Sequence, residues 1–408
     1  MSDLVAVISW WLVIQILGFA VWPLAFRWLR WLPDRGYMLS KPLGLLLVSY
    51  GVWLLANFGI VQNTSGGMIA VLIGVAVTGF FIYRRGRTNQ TSGEGRTTDD
   101  GLRKWIWDHR ALVIAYEILF LIAFVGWSIF RAHNPDLSTT EKPMEFAFFN
   151  AIGRSVTFPP HDPWLAGYSI AYYYFGYVMM SVLHQLSGVT AGMAFSLSNS
   201  LWFALAGASA FGVVANLIML SKRHTQRAAI VFGSIGAIML VLMGNLEGSL
   251  ELAHANNVGS AAMWQWLDVQ EINGPAVQNS PSIPIDQPRG GWWWWRASRV
   301  IHDYPPDAIS PQLASAINEP PSTNSIYQEL IDEFPQFSFL LGDMHPHVLS
   351  LPFALVCMAL ALNLFLGAST GAIKSLTSTS MWPLYALAVG GMSFLNTWDF
   401  PIYAFILA

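Results

Sequence analysis

The feature that most constrains this chain is a series of apolar runs long enough to cross a membrane. A transmembrane helix needs about 20 predominantly apolar residues. Such runs occupy Leu4–Leu29, Leu43–Val61, Met68–Tyr83, Ala111–Phe130, Met193–Leu220, Ala228–Met243, Val348–Leu366 and Trp382–Leu395. Another apolar run begins at Pro401 and reaches the last residue, so we expect a fragment of a longer protein. The pattern predicts an all-α integral membrane protein, a polytopic helical bundle.

The composition supports a lipid environment. Of the 408 residues, 54% are hydrophobic and only 11% are charged, whereas soluble domains carry roughly 25% charged residues. The net charge of −3 provides no basic surface, so nucleic acid is not expected as a partner. The single cysteine, Cys357, excludes a disulfide within the chain. We therefore expect a multi-pass protein of the cell membrane whose main partner is the lipid bilayer.

The distribution of lysine and arginine predicts the orientation. The loops Arg27–Lys41 and Arg84–Arg110 are rich in positive charge and should be cytoplasmic, as should the linker at 222–224. These assignments agree only if the shorter apolar segment Tyr172–Leu186 does not cross the membrane but lies as a juxtamembrane helix in the outer interface. The loops 131–192 and 245–347 are then extracytoplasmic.

The same reading predicts the organisation of the chain. Residues 1–83 form an N-terminal unit of three spans, and residues 84–110 form a flexible, glycine-rich cytoplasmic linker. Residues 111–408 form the remaining membrane domain. We find no internal repeat of the kind that is typical of many transporters.

The first of two polar stretches runs from Glu141 to Tyr174. Pro143 is suited to the first turn of a helix, which places Glu145 in that turn and Glu141 just before it. Glu145 either stabilises the helix N-terminus or is a catalytic carboxylate held at the membrane surface by a short helix, Glu145–Ile152.

Two further polar residues of this stretch, Asp162 and Arg154, each have two possible roles. Asp162 either forms an Asx turn or assists Glu145 in catalysis. Arg154 is either a solvated loop charge or the partner of an anion. His161 is a candidate for substrate binding, as are the three consecutive tyrosines Tyr172, Tyr173 and Tyr174.

The second polar stretch ends in Asp343, His345 and His347, which are two residues apart. An extended backbone would point all three side chains in the same direction, and Pro346 favours extended geometry at His345. They are candidate ligands for Mg²⁺ or Mn²⁺, or an acid and base set. The alternative is that they cap and anchor the span that follows.

Arginines and aromatic residues mark two more candidate positions. Arg296 and Arg299 follow four tryptophans at 292–295; this segment is either an interfacial anchor or a platform for a lipid phosphate. Asp399 lies at the outer end of a span and is either a helix cap or a ligand. Glu117 lies inside a span, where polar groups usually face the bundle interior.

Several of these segments resemble a known family. The motifs are 141–148 (EKPMEFAF), 158–168 (FPPHDPWLAGY), 171–176 (AYYYFG), 295–299 (WRASR), 333–339 (EFPQFSF), 342–347 (GDMHPH) and 396–399 (NTWD). They resemble the YYY membrane proteins, described by the domain of unknown function 2298, from about Ala111 onwards. Where that family typically has aspartate, this chain has Glu145, which extends the carboxylate by about one methylene.

The resemblance implies a function. The family is grouped with the GT-C superfamily of integral-membrane glycosyltransferases. This grouping implies a lipid-linked sugar donor and an acidic catalytic residue in the first extracytoplasmic loop. On this basis Glu145 is the expected base, with Glu141 or Asp162 assisting. The cations Arg154, Arg296 and Arg299 are the ones expected to face the phosphate.

Two other classes of protein stay open at this point. A polytopic transporter would also carry polar groups within the membrane. A non-catalytic scaffold or assembly protein needs only the aromatic surface.

Overall fold

Helices make up most of the computed structural model, which describes residues 2–88, 101–221, 225–267, 269, 297–300, 302–303, 328–369 and 381–408. This confirms the predicted all-α class of polytopic membrane protein. The helices are α1 (Asp3–Trp28), α2 (Ser40–Asn57), α3 (Ser65–Thr88), α4 (Leu102–Asp108), α5 (Arg110–Ala132), α6 (Lys142–Arg154), α7 (Phe175–Ser187), α8 (Ala191–Met219), α9 (Gln226–Val241), α10 (Glu247–Ala255), α11 (Ala261–Leu267), α12 (Pro335–Leu341), α13 (Pro346–Ser369), α14 (Trp382–Leu395) and α15 (Asp399–Leu407).

Two short elements complete the described structure. A 3₁₀ turn, Tyr37–Leu39, precedes α2. The two-residue strands β1 (His302–Asp303) and β2 (Gln328–Glu329) pair in antiparallel fashion.

Among the described residues, six helices are long and apolar enough to cross a membrane. They are Asp3–Trp28, Tyr37–Asn57, Ser65–Arg85, Arg110–Ala132, Ala191–Met219 and Pro346–Ser369. The other two predicted spans form shorter apolar helices, α9 with 16 residues and α14 with 14. At 1.5 Å per residue these helices are about 24 and 21 Å long, less than the ~30 Å hydrocarbon core.

The chain divides into two compact units. Unit 1 contains Met1–Val241 and Gly342–Ala408, and unit 2 contains Leu242–Leu341. Within unit 1, α1, α2 and α3 pack on one another and also contact α7. Part of the predicted linker, residues 84–110, is helical and forms α4. Trp105 of this helix packs against Trp22 and Tyr37.

Helix α8 forms the centre of unit 1, in contact with α5, α9 and α13. Tryptophan and asparagine side chains form hydrogen bonds between α8 and its neighbours. Trp202 donates a hydrogen bond of 2.9 Å to the backbone carbonyl of Leu349 on α13. Trp127 on α5 donates to Asn199 at 2.9 Å and stacks on Phe203 with ring centroids 4.1 Å apart. These buried polar groups therefore link α8 to its neighbours by hydrogen bonds.

Glu117 on α5 links three helices within the membrane region. Its carboxylate lies 2.6 Å from the Lys41 ammonium and accepts a hydrogen bond of 2.8 Å from the Tyr37 hydroxyl. Gln15 on α1 donates to its other oxygen at 3.2 Å. These contacts place a charged pair between helices of the bundle, as expected for ionisable groups in lipid.

Helix α7 covers most of the segment that we expected to lie in the outer interface. It begins at Phe175, three residues later than predicted, and its 13 residues span about 20 Å. Residues 175–183 are all buried, in contact with α1, α2, α3 and α8. The helix is therefore embedded among the helices of unit 1.

Candidate functional site

Helix α6 carries Glu145, the main candidate residue. Pro143 lies in its first turn, as predicted, because proline has no N–H to leave unsatisfied there. Phe148, Phe149 and Ile152 are buried. The helix is thus held in place by its apolar face, and the carboxylate lies on the buried side.

The loop between α2 and α3 fixes the other end of α6. The buried side-chain amide of Asn63 donates hydrogen bonds of 2.9 Å to the carbonyls of Ile152 and Ser155. These are carbonyls of the kind that a helix C-terminus leaves unsatisfied. The backbone N–H of Asn63 also donates to Val156 at 2.8 Å. Helix α6 is therefore anchored at a defined position on the bundle.

A glycine turn positions the second polar stretch. Gly342 has φ = 82°, and a Cβ there would lie 2.5 Å from the guanidinium of the buried Arg131. Residues 343–345 follow in non-helical conformation, and α13 begins at Pro346. The predicted extended backbone therefore ends before His347. Pro346 is favoured at the first position of a helix, so α13 begins there and His347 lies in its first turn.

The two polar stretches meet at Glu145. The Met344 backbone N–H donates a hydrogen bond of 2.7 Å to Glu145 Oε2. His345 Nε2 lies 3.3 Å from Glu141 Oε2 and 3.4 Å from Asp343 Oδ2. The same nitrogen lies 3.8 Å from Glu145 Oε1. We refer to Glu141, Glu145, Asp343 and His345 as the acid cluster.

Burial changes the acidity of Glu145. Its side chain is fully buried, and this raises its pKa from 4.5 to about 8, because a charge loses its hydration. The hydrogen bond from Met344 and the nearby His345 lower the pKa, whereas the charges of Asp343 and Glu141 raise it. The carboxyl group therefore ionises within the range in which enzymes work.

Asp343 shares this buried environment. Burial raises its pKa, whereas the Thr140 hydroxyl, which donates a hydrogen bond of 2.5 Å, lowers it, as do the charges of His345 and Lys142. The Lys142 ammonium lies 3.9 Å from Asp343 and donates to the Thr139 hydroxyl at 3.1 Å. Burial in turn lowers the pKa of Lys142.

The sequence did not reveal the groups that surround Asp343. Thr140, Lys142 and Arg131 were not among the predicted site residues, although all three precede Glu145 by fewer than fifteen positions. Lys142 and Arg131 are both buried, and Arg131 interacts electrostatically with Asp343. Their positions shortly before Glu145 in the sequence could have identified them as candidate site residues.

The three tyrosines line a cavity of about 510 Å³ in unit 1. Burial raises the pKa of Tyr172, and the charges of Glu141 and Glu145 raise it further. Tyr172 therefore lies within electrostatic range of the acid cluster. The nine lining residues are Trp53, Ala171, Tyr172, Tyr173, Tyr174, Phe175, Ser393, Phe394 and Thr397.

Asp162 and His161 lie in the loop after α6. Asp162 Oδ1 accepts backbone hydrogen bonds from Trp164 at 2.8 Å and from Leu165 at 2.9 Å. This is the geometry of an Asx turn. His161 is exposed and forms an isolated antiparallel bridge with Ser169. Both residues thus have a visible part in the loop structure.

Arg154 lies away from the carboxylate of Glu145, and Asp399 takes part in a contact between two helices. Arg154 is exposed in the last turn of α6, nine residues or about 14 Å along the helix from Glu145. Asp399 lies in the first turn of α15 and accepts a hydrogen bond of 2.5 Å from the Ser350 hydroxyl on α13. The latter contact links two helices.

The predicted arginine platform is only partly described. Arg296 and the four tryptophans before it lie outside the described residues. Arg299 belongs to unit 2, where its guanidinium contacts the Ser298 hydroxyl and lies 5.7 Å from the Phe337 ring centroid.

The site offers oxygen and nitrogen donors to a cation or to a substrate hydroxyl. Glu145 Oε1 and Asp343 Oδ2 are buried and accept no hydrogen bond from the described residues. Both lie within 3.8 Å of His345 Nε2. His347 is exposed, and its ring centroid lies 5.5 Å from that of His345. This donor set combines carboxylates with imidazole.

One comparison with known proteins identifies the family of this chain. The family model described as "Uncharacterized membrane protein (DUF2298)" matches residues 47–408. The match begins well before Ala111 and so includes most of α2 and all of α3. No curated protein and no solved structure matches the chain. The chain therefore belongs to the DUF2298 family of membrane proteins.

Proposed function

We propose that this protein is a membrane glycosyltransferase of the GT-C type. It would transfer a sugar from a polyprenyl-phosphate-linked donor to an acceptor on the extracytoplasmic face. The observation that supports this most strongly is the fully buried carboxyl of Glu145, with its pKa raised to about 8, beside His345 and two further carboxyl groups. General bases work best when their pKa lies near the operating pH.

Glu145 is the proposed base of the transfer. The acceptor hydroxyl oxygen bonds to the anomeric carbon of the donor sugar. The bond from that carbon to the phosphate oxygen breaks, and its electron pair leaves with the polyprenyl phosphate. The hydroxyl proton passes to Glu145 Oε1, the oxygen that accepts no hydrogen bond from the described residues. The Met344 amide orients the carboxylate through the other oxygen.

Cations must stabilise the negative charge on the departing phosphate. We assign this role to Lys142 and Arg131, which are buried around Asp343. Arg154 is a weaker candidate, because it is exposed and lies about 14 Å along α6 from Glu145. Arg299 lies in unit 2, and its part in the site stays a prediction.

A divalent cation fits the donor set. Asp343 and His345, whose Oδ2 and Nε2 lie 3.4 Å apart, would hold it together with His347, because hard ions such as Mg²⁺ and Mn²⁺ bind carboxylate oxygens, and Mn²⁺ also accepts imidazole. When bound, such an ion would neutralise phosphate charge. The residues support Mn²⁺ better than Mg²⁺, since a nitrogen ligand is present.

The direction of α5 supports the proposed extracytoplasmic location of the acid cluster. This helix begins at Arg110, at the end of a basic loop, and its 23 residues span about 34 Å before Ala132. The acid cluster lies near its far end, beside Arg131. Basic loops favour the cytoplasm, which supports an extracytoplasmic acid cluster.

The test is the Glu145→Gln variant, purified with the full chain in lipid nanodiscs. We expect transfer of radiolabelled sugar from a polyprenyl-phosphate donor to fall by about 10²–10⁴-fold, the usual contribution of a general base. Asp162→Asn is the matched control, because Asp162 holds an Asx turn, and it should keep at least half of the turnover.

The same measurements separate the other two classes of protein. Equal turnover in Glu145→Gln and in the unaltered protein would refute the catalytic role. Sugar or ion flux into proteoliposomes without any transfer would instead support a transporter. A protein with neither transfer nor flux would fit a scaffold.

A further inference from the structure

We propose that the cavity beside the three tyrosines binds the neutral sugar ring of an acceptor glycoside. This inference rests on the proposed function, which requires an acceptor hydroxyl near Glu145. The cavity of about 510 Å³ has the size of ordinary small-molecule sites, about 300–1,000 Å³. It is formed within unit 1 by α2, by the segment that enters α7, and by the C-terminal end of α14 with the residues just after it.

Aromatic rings form most of the cavity wall. Trp53 makes ring contacts with Tyr174, Phe175 and Phe394, at centroid distances of 6.4, 5.5 and 5.0 Å. Tyr172 and Tyr173 extend this wall towards the acid cluster, with centroids 5.4 Å apart. The faces of aromatic rings carry negative charge, and the C–H faces of a sugar ring, which are weakly positive, pack well on them.

Hydroxyl groups complement the rings. The indole N–H of Trp53 donates a hydrogen bond of 3.0 Å to the Tyr174 hydroxyl and fixes both groups. Ser393 and Thr397 donate their hydroxyl protons to backbone carbonyls at 2.6 and 3.0 Å. Their oxygens therefore keep lone pairs that accept hydrogen bonds. Such acceptors suit a ligand that carries many hydroxyl donors.

The uncharged lining of the cavity indicates which class of ligand it binds. None of the lining residues that the structure describes is charged, so the cavity supplies no partner for a phosphate. A hydrocarbon chain would offer no hydrogen bond to the Tyr173 hydroxyl or to the remaining lone pairs of Ser393 and Thr397, at a cost in free energy. A neutral sugar satisfies both the rings and the hydroxyls.

Tyr172 connects the cavity to the proposed chemistry. It lines the cavity, and its ring centroid lies 5.7 Å from that of Phe148, which is one helical turn after Glu145 on α6. A sugar bound against Tyr172 and Tyr173 would thus have an edge directed towards the acid cluster. This arrangement is the one that an acceptor needs, because its hydroxyl must give its proton to Glu145.

Direct binding tests the inference. The full chain in nanodiscs is titrated with methyl β-D-glucoside, methyl α-D-mannoside and methyl β-D-galactoside, and binding is followed by saturation-transfer difference NMR. We expect a saturable signal for at least one glycoside. It should fall at least fivefold in Tyr173→Ala and in Phe394→Ala, and should not change in Trp398→Ala, a control at an exposed tryptophan.

The failure of this inference is distinct from failure of the proposed function. Glu145→Gln should keep the binding signal even where it abolishes turnover. Equal signals in Tyr173→Ala, Phe394→Ala and the unaltered protein would overturn the inference, whatever the turnover. Displacement of the glycoside by farnesol, or by inorganic phosphate, would also overturn it, because it would identify a prenyl or an anion site.

Discussion

The backbone N–H of Met344 donates a 2.7 Å hydrogen bond to the Glu145 carboxylate, across 199 positions of the chain. This bond joins two polar stretches that are far apart in sequence. Buried carboxylates require such partners, since an unsatisfied buried group costs about 1–3 kcal/mol. The pair therefore defines the centre of the candidate site.

The pKa of Glu145 predicts how stability depends on pH. Its pKa is raised from 4.5 to about 8 in the fold, so between these pH values the folded protein keeps a proton that the unfolded chain releases. Stability from this group is fully present below pH 4.5 and is lost as the pH rises through 8. The pKa difference corresponds to a contribution on the order of 5 kcal/mol.

Thermal unfolding in nanodiscs at pH 5 to 9 measures this effect. We expect the midpoint of the unaltered protein to fall more steeply with pH than that of Glu145→Gln, which has no proton to lose. Asp162→Asn is the control and should follow the unaltered protein. Parallel curves for Glu145→Gln and the unaltered protein would contradict the raised pKa.

His345 should set the pH dependence of the proposed reaction. Its charge lowers the pKa of Glu145, and the base must be ionised to accept a proton. In His345→Gln we therefore expect the rising limb of the pH–rate profile to move to higher pH. The measurement is turnover from pH 6 to 9.5, with His161→Gln as the control at an exposed histidine. An unchanged limb in His345→Gln would show that the two groups are not coupled.

Gly342→Ala should destabilise the protein and disturb Arg131. The positive φ of 82° costs an alanine about 1–2 kcal/mol, and the added Cβ would also clash with the buried Arg131 guanidinium. Gly188→Ala is the matched control, because Gly188 has φ = 68° but open space around its Cα. We expect Gly342→Ala to lower the denaturation midpoint more than Gly188→Ala does. Equal losses in the two variants would mean that Arg131 moves aside freely.

Lys142→Met should weaken the region around Asp343. The two side chains are buried, and their charges lie 3.9 Å apart, so the variant leaves Asp343 with less compensation for its burial. We expect a loss of about 3 kcal/mol in unfolding free energy, as for other broken buried pairs. The double variant with Asp343→Asn should regain part of the loss. A double-mutant cycle measures the coupling, and strict additivity of the two changes would refute it.

Hydrophobic periodicity and length were sufficient to predict most helices of the bundle. Six predicted spans correspond to helices long enough to cross a membrane, because lipid requires the backbone to satisfy its own hydrogen bonds. Pro143 also indicated the first turn of α6, because proline is favoured there, although α6 is longer at both ends than the predicted helix Glu145–Ile152. Both inferences use local physics alone.

The candidate site was predictable only in part. Glu145, Glu141, Asp343 and His345 stood out because charged residues are rare in this chain, and they do come together. Trp53, Ser393 and Phe394 did not stand out, because aromatic and hydroxyl residues are common near membrane interfaces. Their place in one cavity depends on how α2 and α14 pack.

The amino-acid sequence by itself determined that this chain is a helical membrane protein and which residues are costly to place there. Both properties follow from transfer free energies, which depend on residue type and length. The tertiary structure alone decided that Met344 reaches Glu145, that Lys142 and Arg131 surround Asp343, and that the tyrosines share a cavity. Such contacts join distant segments, and their geometry depends on helix packing rather than on any local pattern.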